Sequence, residues 1–480
     1  MLLRLLMLAL AVAVSGTWVR CGLAGELKAG AATSNITPPI GDDIIGGFVP
    51  FPSTHIHDEL QARCLVLDDG QTKLALVVCD LLGIHRNVSS EARKLIQTKV
   101  GIPAENVLIS ATHTHSATSA LGKDRMKMQT ELDEYQHFVA TRIADGVARA
   151  INNARPAEIA FGTVEIPEHL NNRRWHMRAG TVPANPFGTQ DLVKMNPPAG
   201  SPNLIEPAGP IDPTVSFLSV RSRDGQPISV YAAYSLHYVG GVGNGHISAD
   251  YFAMFCDQLG RLVQDAPQDP PFVALMANGT SGDINNINFR TPRPSKPQYE
   301  QMKYVAHDVA AKVHGALKPL QYRSELSLAA SYREPEIAWR RPTAEQKKWM
   351  DETLAKGPQS KQDLSFIYAG RMQRLSEYPE MTTVPVQVLR IGDVGIGTMP
   401  CEVFCEIGLD FKRDSAIKNS FMVSLGHGYF GYLPTPRHHD LGGYETWIGT
   451  NRLERTASDK LLAQLIEMSK ALATDKPAAK

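Results

Sequence analysis

Short apolar runs alternate with amphipathic stretches in the first quarter of the chain. The runs ARCLVLDD (residues 62–69) and KLALVVCDLLG (residues 73–83) are bounded by aspartate and glycine, which predicts two buried strands. SSEARKLIQTKVG (residues 89–101) places Leu95 and Ile96 on one face between a serine start and a glycine stop, which predicts a helix. The apolar run VLISA predicts the next strand, so this region forms a strand–helix–strand unit.

Similar patterns predict further elements downstream. Strands are expected at residues 158–164, 215–221, 228–237 and 272–277, and helices at residues 132–152, 251–263, 298–314 and 451–472. Gly392 and Asp393 predict a hairpin turn. The Pro- and Gly-rich residues 182–213 are expected to form an ordered surface loop, and the polar residues 334–381 a mostly helical insertion. We therefore predict an α/β fold with mixed β-sheets and flanking helices, a single large catalytic unit of residues 26–480 with insertions.

The N-terminus has the pattern of a secretory signal peptide. Arg4 precedes an apolar run from Leu5 to Val14, which is too short to span a bilayer, and small residues follow it. We predict that residues 1–25 are removed, and that the mature chain is secreted or periplasmic and has no transmembrane span. Five of the six cysteines would remain, and an odd number argues against a disulfide scaffold.

The charge balance indicates what kind of partner to expect. Lysine plus arginine and aspartate plus glutamate both number 49, so the formal charge is +0. A neutral chain has no general attraction for nucleic acid or for an anionic membrane. We expect a small-molecule partner and no nucleic acid.

Residues that can ligate metal follow four of the predicted strands. His113 and His115 come directly after VLISA, and we expect them to share one face because residues two apart on a strand point the same way. His237, Asp283 and Glu402 follow three other strands. Each alone is more often structural than functional. Two histidines and a carboxylate around an open position are typical of a hydrolytic zinc site, and four such strand ends favour that interpretation.

Five motifs resemble one family. SATHTHS, SLHYV, GTSGDINN, MPCEVF and GYFGYLPTPRHHDLGGYE follow, in order, the landmarks of the neutral/alkaline non-lysosomal ceramidase catalytic domain, and the opening GAATSNITPPIG is similar to its start. The resemblance is spread over residues 28–450. It implies an extracellular or membrane-facing amidase with one zinc ion (Zn2+) per chain, acting on a small-molecule or lipid-like N-acyl substrate.

The same resemblance implies roles for single residues. The metal ligands would be His113, His237, Glu402 and Tyr432. His115 would lie beside the zinc and contact the scissile group, and Tyr444 would hydrogen-bond the substrate carbonyl. Arg173 or Arg174 corresponds to an arginine of the family site. Asp80 matches an acid near the metal, and we predict that Asp80 and Asp283 support the ligands.

Two departures from the family pattern concern the substrate. Asn285 stands where the family has a serine that is treated as catalytic; its amide can donate to an oxyanion but cannot act as an activated hydroxyl. The nearby Ser281 is an alternative, although a serine in a Gly-rich turn is usually structural. The family's ceramidases also carry a further β-rich C-terminal domain, whereas this chain ends after its final helix. Both departures leave ceramide itself open as the substrate.

The predicted mechanism is attack by a zinc-bound water, with His115 as the proton carrier and an ester or lactone as suitable as an amide. A two-metal phosphoesterase is an alternative, with ligands Asp80, His113, His115, His237 and Asp283. A non-catalytic binding protein on the same scaffold is another. A serine hydrolase is disfavoured because NGTSGD lacks the GxSxG pattern.

Overall fold

The computed structural model describes residues 26–474 except Ser119, Lys123, Arg125, Lys127, Thr130 and Asp265. The predicted signal peptide of residues 1–25 lies outside the described residues. The helices of the described part are α1 (Arg86–Val100), α2 (Glu134–Asn152), α3 (Asp250–Val263), α4 (Glu300–Leu317), α5 (Ala344–Lys356), α6 (Leu364–Glu377), α7 (Cys405–Asp414), α8 (Pro436–Leu441) and α9 (Ala457–Thr474). Its longer strands are β1 (Lys28–Asn35), β2 (Gln61–Asp68), β3 (Lys73–Cys79), β4 (Val107–Ala111), β5 (Arg155–Glu165), β6 (Thr214–Ser222), β7 (Pro227–Tyr234), β8 (Val273–Asn278), β9 (Leu328–Arg333), β10 (Val386–Ile391), β11 (Val394–Met399) and β12 (Asn419–Ser424).

Eight of these strands form one mixed sheet in the order β8-β7-β6-β5-β1-β2-β3-β4. The pairs β3–β4 and β7–β8 are parallel, and the other neighbours are antiparallel. The predicted strand–helix–strand unit is therefore confirmed as β3–α1–β4. Helix α1 ends where Gly101 takes a left-handed conformation with φ 73°, a backbone shape that glycine adopts without strain.

A second sheet, β9-β10-β11-β12, lies against the first. Leu65 and Leu67 of β2 share one buried cluster with Leu389 of β10 and Ile396 of β11, so the two sheets pack face to face. Alternate residues of β2, Cys64 and Val66, point the other way into a cluster with α1 and α2. Helices α3 and α4 cover the β6–β8 part of the first sheet, and α6, α7 and α9 cover the second. The predicted mixed sheets with flanking helices are confirmed, here as four layers.

Three segments differ from the sequence prediction. Residues 182–213 are not purely a loop, because Val193–Met195 and Leu204–Pro207 pair with Arg174–Met177 in a small sheet. Residues 334–381 contain α5 and α6, as predicted, and also a short strand pair, Glu336–Ala338 with Met381–Thr383. The last helix begins at Ala457 rather than residue 451. The chain before it turns at Thr450, whose amide donates to the carbonyl of Trp447 at 2.9 Å, and Asn451 forms a bridge with Gly431.

Strand ends of both sheets meet at one place. The side chain of Asn278, at the end of β8, donates to the carbonyl of Thr112 just after β4 at 3.0 Å, so the two outermost strands of the first sheet lie side by side there. The amide of His427, which follows β12, donates to the carbonyl of Ile109 in β4 at 2.8 Å. The residues that follow β4, β7 and β11 converge at this junction.

Candidate metal centre

His113, His237 and Glu402 come together at the junction, and all three are buried. The Nε2 atom of His113 lies 3.2 Å from Oε2 of Glu402, and Nε2 of His237 lies 4.0 Å from the same oxygen. The ligating atoms of His113, His115 and His237 all lie within 4.8 Å of one another. Imidazole nitrogens and a carboxylate oxygen at these distances surround a space of the size that a metal ion takes.

The backbone at His113 explains how two neighbouring histidines reach one point. Strand β4 ends at Ala111, and His113 has a left-handed conformation with φ 69°. The prediction that His113 and His115 share a strand face is therefore wrong, because the chain has already left the strand. The bend at His113, instead of a shared strand face, brings the Nε2 atoms of His113 and His115 to 3.2 Å from each other. A left-handed conformation is strained for a residue with a side chain and is commonly found at functional sites.

The second ring nitrogen of each buried histidine is held by the backbone. Nδ1 of His113 donates to the carbonyl of Leu82 at 2.6 Å, and Nδ1 of His237 lies 3.1 Å from the carbonyl of Ser281. A carbonyl only accepts, so Nδ1 carries the proton in both rings and Nε2 keeps its lone pair. Such support fixes the ring orientation that a metal ligand needs.

Charges in the cluster also suit a cation. Burial raises the pKa of Glu402, but the neighbouring His113 and His237 outweigh that effect, and the pKa lies far below its usual range. Burial, together with the positive charge of Arg173, lowers the pKa of His237 well below its usual value. An ionised carboxylate therefore faces the rings of His113 and His237. The hydroxyl of Tyr429 donates to Oε1 of Glu402 at 2.7 Å and leaves Oε2 turned toward the histidines.

Tyr432 lies at the edge of the cluster beside Glu402, because the short strands Glu402–Val403 and Tyr432–Leu433 pair in parallel with these two residues in register. Arg173 donates to the Tyr432 hydroxyl at 3.0 Å and to the carbonyl of Gly282 at 2.7 Å. Burial raises the pKa of Tyr432 well above its usual value, and Arg173 opposes that shift. Arg173 is thus the arginine that contacts the site.

Arg174 supports the site from one step further away. It donates to the carboxylate of Glu445 at 2.7 Å and to the carbonyl of Gly442 at 2.6 Å, so it holds the segment that carries Tyr444. The ring of Tyr444 lies 5.8 Å from that of Tyr432. Together with His113, His115 and Glu402, these two tyrosines line a cavity of about 80 Å³.

The structure corrects the predicted role of Asp80. One carboxylate oxygen of Asp80 accepts from the amide of Gln61 at 3.0 Å and lies 3.7 Å from Nε of Arg63, while the other has no hydrogen-bond partner among the described residues. Among the described residues Asp80 has no hydrogen bond to a histidine, and the guanidinium on the adjacent strand β2 attracts its carboxylate. Burial is the main cause that raises the pKa of Asp80 to about 7.

Asp283 and Asn285 are also placed away from the histidines. The Asp283 carboxylate accepts from the amide of Cys405 at 2.9 Å and from the side chain of Asn172 at 2.7 Å. The Asp283 carboxylate therefore links Cys405, near Glu402, to Asn172, next to Arg173, rather than bonding to a candidate ligand. The Asn285 amide donates to Asn196 at 3.2 Å, and its oxygen accepts from the backbone of Ile287. These bonds hold Asn285 within its loop, and its contact with an oxyanion stays a prediction.

Two contacts of the site were missed by the sequence prediction. The hydroxyl of Ser281 lies 3.2 Å from Nδ1 of His237. The ring of Tyr238 stacks on that of His115 with centroids 3.9 Å apart. Ser281 and Tyr238 stand within GTSGD and SLHYV, two motifs of the sequence analysis. Their closeness in sequence to candidate site residues is the signal that could have identified them.

A Ser281→Ala variant is expected to bind metal no more than about tenfold more weakly, because the Ser281 carbonyl remains to hold His237. Hydrolytic activity should fall by a similar factor at most. Metal affinity by chelator competition and activity toward an N-acyl substrate would be measured beside His237→Ala, which should lose both. Complete loss of activity in Ser281→Ala with metal retained would instead identify Ser281 as a nucleophile.

An α/β fold of four layers with a buried histidine–carboxylate centre is thus the class that the structure defines, and comparison with known proteins specifies it further. Residues 27–294, more than half of the chain, match the family described as neutral/alkaline non-lysosomal ceramidase, N-terminal. The chain belongs to this family. The matched residues include His113, His115 and His237, whereas Glu402 and Tyr432 lie beyond them and are brought to the histidines by the fold.

Curated relatives are similar over part of their length. Neutral ceramidase A of Dictyostelium discoideum is 23% identical over 277 residues, which cover 56% of this chain and 36% of that protein. Neutral ceramidase B of the same organism is 23% identical over 258 residues, 50% of this chain and 33% of that protein. The match therefore spans about a third of the length of these relatives.

Solved structures share the fold. A structure described as ceramidase complexed with C2 aligns over 96% of this chain and 77% of its own, with a TM-score of 0.70 and 16% identity. Neutral ceramidase from Pseudomonas aeruginosa aligns over 96% of this chain and 76% of its own, with a TM-score of 0.67 and 17% identity. At this level of identity the likeness establishes the architecture only. None of the helices in the described residues has both the length and the apolar character for a membrane crossing.

Proposed function

We propose that the protein is an exported zinc-dependent hydrolase that cleaves an amide (N-acyl) bond, or a related ester. One observation carries the proposal: Nε2 of His237 is buried, has no hydrogen-bond partner among the described residues, and faces the Glu402 carboxylate within the histidine cluster. A buried polar atom without a partner is costly and needs an explanation, and a bound cation supplies one. Export rests on the sequence of residues 1–25.

The donor set fits zinc. His113, His237, Glu402 and Tyr432 would hold the ion with nitrogen and oxygen ligands, which are those that zinc takes in catalytic sites. When bound, a zinc ion would supply Lewis-acid chemistry and would make water acidic enough to react near neutral pH. The Nδ1 atoms of His113 and His237 are already held by backbone carbonyls. The two rings would therefore need little reorientation to bind the ion.

The chain's own side chains would carry the remaining steps. His115 is less buried than His113 and borders the cavity, so it is placed to take a proton from the attacking water and to return it to the leaving amine. Tyr444, at the rim of the same cavity, would donate to the scissile carbonyl, and Arg173 would keep Tyr432 in place. The water oxygen ends in the carboxylic acid and its protons on the acid and the amine.

The placement of the two aspartates disfavours the two-metal phosphoesterase. That alternative needs the carboxylates of Asp80 and Asp283 as ligands, but Asp80 is paired with Arg63 and Asp283 is bonded to Cys405 and Asn172. Among the described residues, one cluster of three ligating side chains was found. The family match supports an amide as the bond that is cleaved, since both relatives are named neutral ceramidases.

Removal and return of the metal test the proposal directly. We expect the purified mature chain to contain about one zinc per chain, to lose hydrolysis of N-acyl and ester substrates after chelation, and to regain it with one equivalent of zinc. Metal content would be measured by mass spectrometry, with nitrophenyl phosphate as the comparison substrate. Two metals per chain with phosphate cleavage would favour the phosphoesterase, and bound zinc without turnover of any substrate would favour a binding protein.

A further inference from the structure

The cavity at the histidine cluster continues into a second one beside it. The two cavities have volumes of about 80 Å³ and about 270 Å³, and both are bordered by Gly47, Phe48 and Arg371. Ile45, Pro50, Met126 and Ile367 form an apolar side of the second cavity, and the ion pair of Asp124 with Arg374 borders it as well. A small ligand at the histidines would therefore pass Phe48 and Arg371 on its way into an apolar space.

Arg371 is held at this boundary by contacts on several sides. Its guanidinium carbon lies 5.2 Å from the centre of the Phe48 ring and 5.0 Å from that of Tyr368. Nη1 donates to the hydroxyl of Thr450 at 3.4 Å. Gly449 has φ 95°, and a Cβ atom there would lie only 2.8 Å from Cβ of Arg371, so the glycine makes room for the arginine stem. The side chain is half-buried and fixed before any ligand arrives.

Arg371 forms no ion pair with an acid of the described residues, although Asp124 borders the same cavity. No carboxylate of the described residues lies within 4.0 Å of its guanidinium, whereas Arg374, one turn further along α6, is paired with Asp124 at 2.9 Å. A second guanidinium, that of Arg452, borders the cavity at the histidine cluster. Positive groups in a partly enclosed site attract an anion strongly, and the planar fork of arginine matches a carboxylate.

Phe48 contacts both this charge and Tyr444, and all three border the cavity at the histidine cluster. Its ring lies 5.2 Å from the Arg371 guanidinium on one side and 6.1 Å from the ring of Tyr444 on the other. A compact molecule can therefore touch Arg371 and the Tyr444 side of the cavity at once. An N-acyl amino acid has the matching chemistry, since its carboxylate and its amide are separated by one carbon and its acyl chain is apolar.

We propose that Arg371 determines specificity by binding the carboxylate of an acidic N-acyl substrate, such as an N-acyl amino acid, while the amide lies at the histidine–Glu402 cluster. This inference rests on the proposed hydrolase function. It differs from the activity that the family name suggests, because the ligand is an anion. The acyl chain occupies the second cavity, on the side formed by Ile45, Met126 and Ile367.

The test compares N-octanoylglycine with N-octanoylglycinamide, which share the scissile bond and differ in charge. In the mature chain, Arg371→Gln should lower kcat/KM for the acid by about 20-fold or more, mainly through KM, and change the neutral amide by less than about threefold. Arg371→Lys should show an intermediate loss because the charge remains but the fork does not. Arg413→Gln is the matched control, since its exposed guanidinium pairs with Asp410 and Asp414 and borders neither cavity, and it should leave the ratio of the two substrates unchanged.

A binding measurement decides the inference without turnover. Calorimetric titration of N-octanoylglycine into the metal-free chain should give a Kd about tenfold or more higher for Arg371→Gln than for the unmodified chain and Arg413→Gln. Arg371-dependent binding without hydrolysis would support the carboxylate site and overturn the proposed reaction. Hydrolysis of both substrates with no selective effect of Arg371→Gln would retain the hydrolase and overturn the inference. Neither binding nor hydrolysis would overturn both.

Discussion

Replacing Glu402 with glutamine should remove the metal and lower hydrolysis by about a thousandfold or more, because Lewis-acid stabilisation is worth several kcal/mol and each 1.36 kcal/mol is a factor of ten. Glutamine keeps the shape of the side chain but not the charge that faces His113 and His237. Zinc content should fall from about one per chain to a small fraction. Mass spectrometry of the purified variant and steady-state kinetics would measure the two effects.

The matched control is Glu406→Gln, the same substitution four residues further along the chain. Glu406 is half-buried and pairs with Arg437 at 2.8 Å, outside the histidine cluster. It should retain zinc and most of the activity. The metal-free form of Glu402→Gln should unfold at or above the temperature of the metal-free unmodified chain, since a buried charge has been removed. A Glu402→Gln protein that keeps stoichiometric zinc would show that Glu402 is not a ligand.

Local pattern was enough to predict most of the elements. The run before His113 is uniformly apolar because β4 is buried on both faces, and α1 is bounded by a residue that caps it and by a left-handed glycine, so these bounds are local properties. The stacking of the two sheets was not predictable in the same way. It depends on contacts between residues such as Leu65 and Ile396, which are far apart along the chain and carry no mutual signal.

The candidate ligands were predicted together because they all follow strands, but their geometry depends on the backbone between elements. The left-handed conformation of His113 cannot be inferred from THTHS, since histidine is not a residue that demands it. The pairing of Asp80 with Arg63 could have been predicted from the sequence. Arg63 is the one basic residue of ARCLVLDD and is followed by the apolar CLVL, and a buried guanidinium needs an acid on a neighbouring strand.

The choice between Arg173 and Arg174 shows the same limit in the sequence. The two residues are adjacent and of one type, so pattern cannot tell which contacts the site. The fold decides it by pairing Asn171–Asn172 with Ile284–Asn285 and Arg174–Met177 with two other strands, which sends consecutive side chains in different directions. Both guanidiniums then meet one carboxylate, that of Glu445.

That carboxylate is the basis of the second large effect we expect. Glu445 is fully buried and accepts from Nε of Arg173 at 2.9 Å and from Nη1 of Arg174 at 2.7 Å. Glu445→Gln leaves two buried guanidinium charges without their counter-ion, and breaking a buried pair in this way costs about 3–5 kcal/mol. The free energy of unfolding should fall by that amount in urea denaturation followed by circular dichroism.

The matched control is Glu454→Gln, because Glu454 pairs with the half-exposed Lys460 at 2.7 Å and an exposed pair contributes about 1 kcal/mol at most. Equal stability of the two variants would contradict the role given to Glu445. Activity adds a separate readout: Arg173 loses its fixed position in Glu445→Gln, so the hydroxyl of Tyr432 loses a donor that holds it beside Glu402. Zinc affinity should therefore weaken in Glu445→Gln and stay unchanged in Glu454→Gln. This difference would show that Glu445, with Arg173 and Arg174, supports the metal centre as well as the stability of the fold.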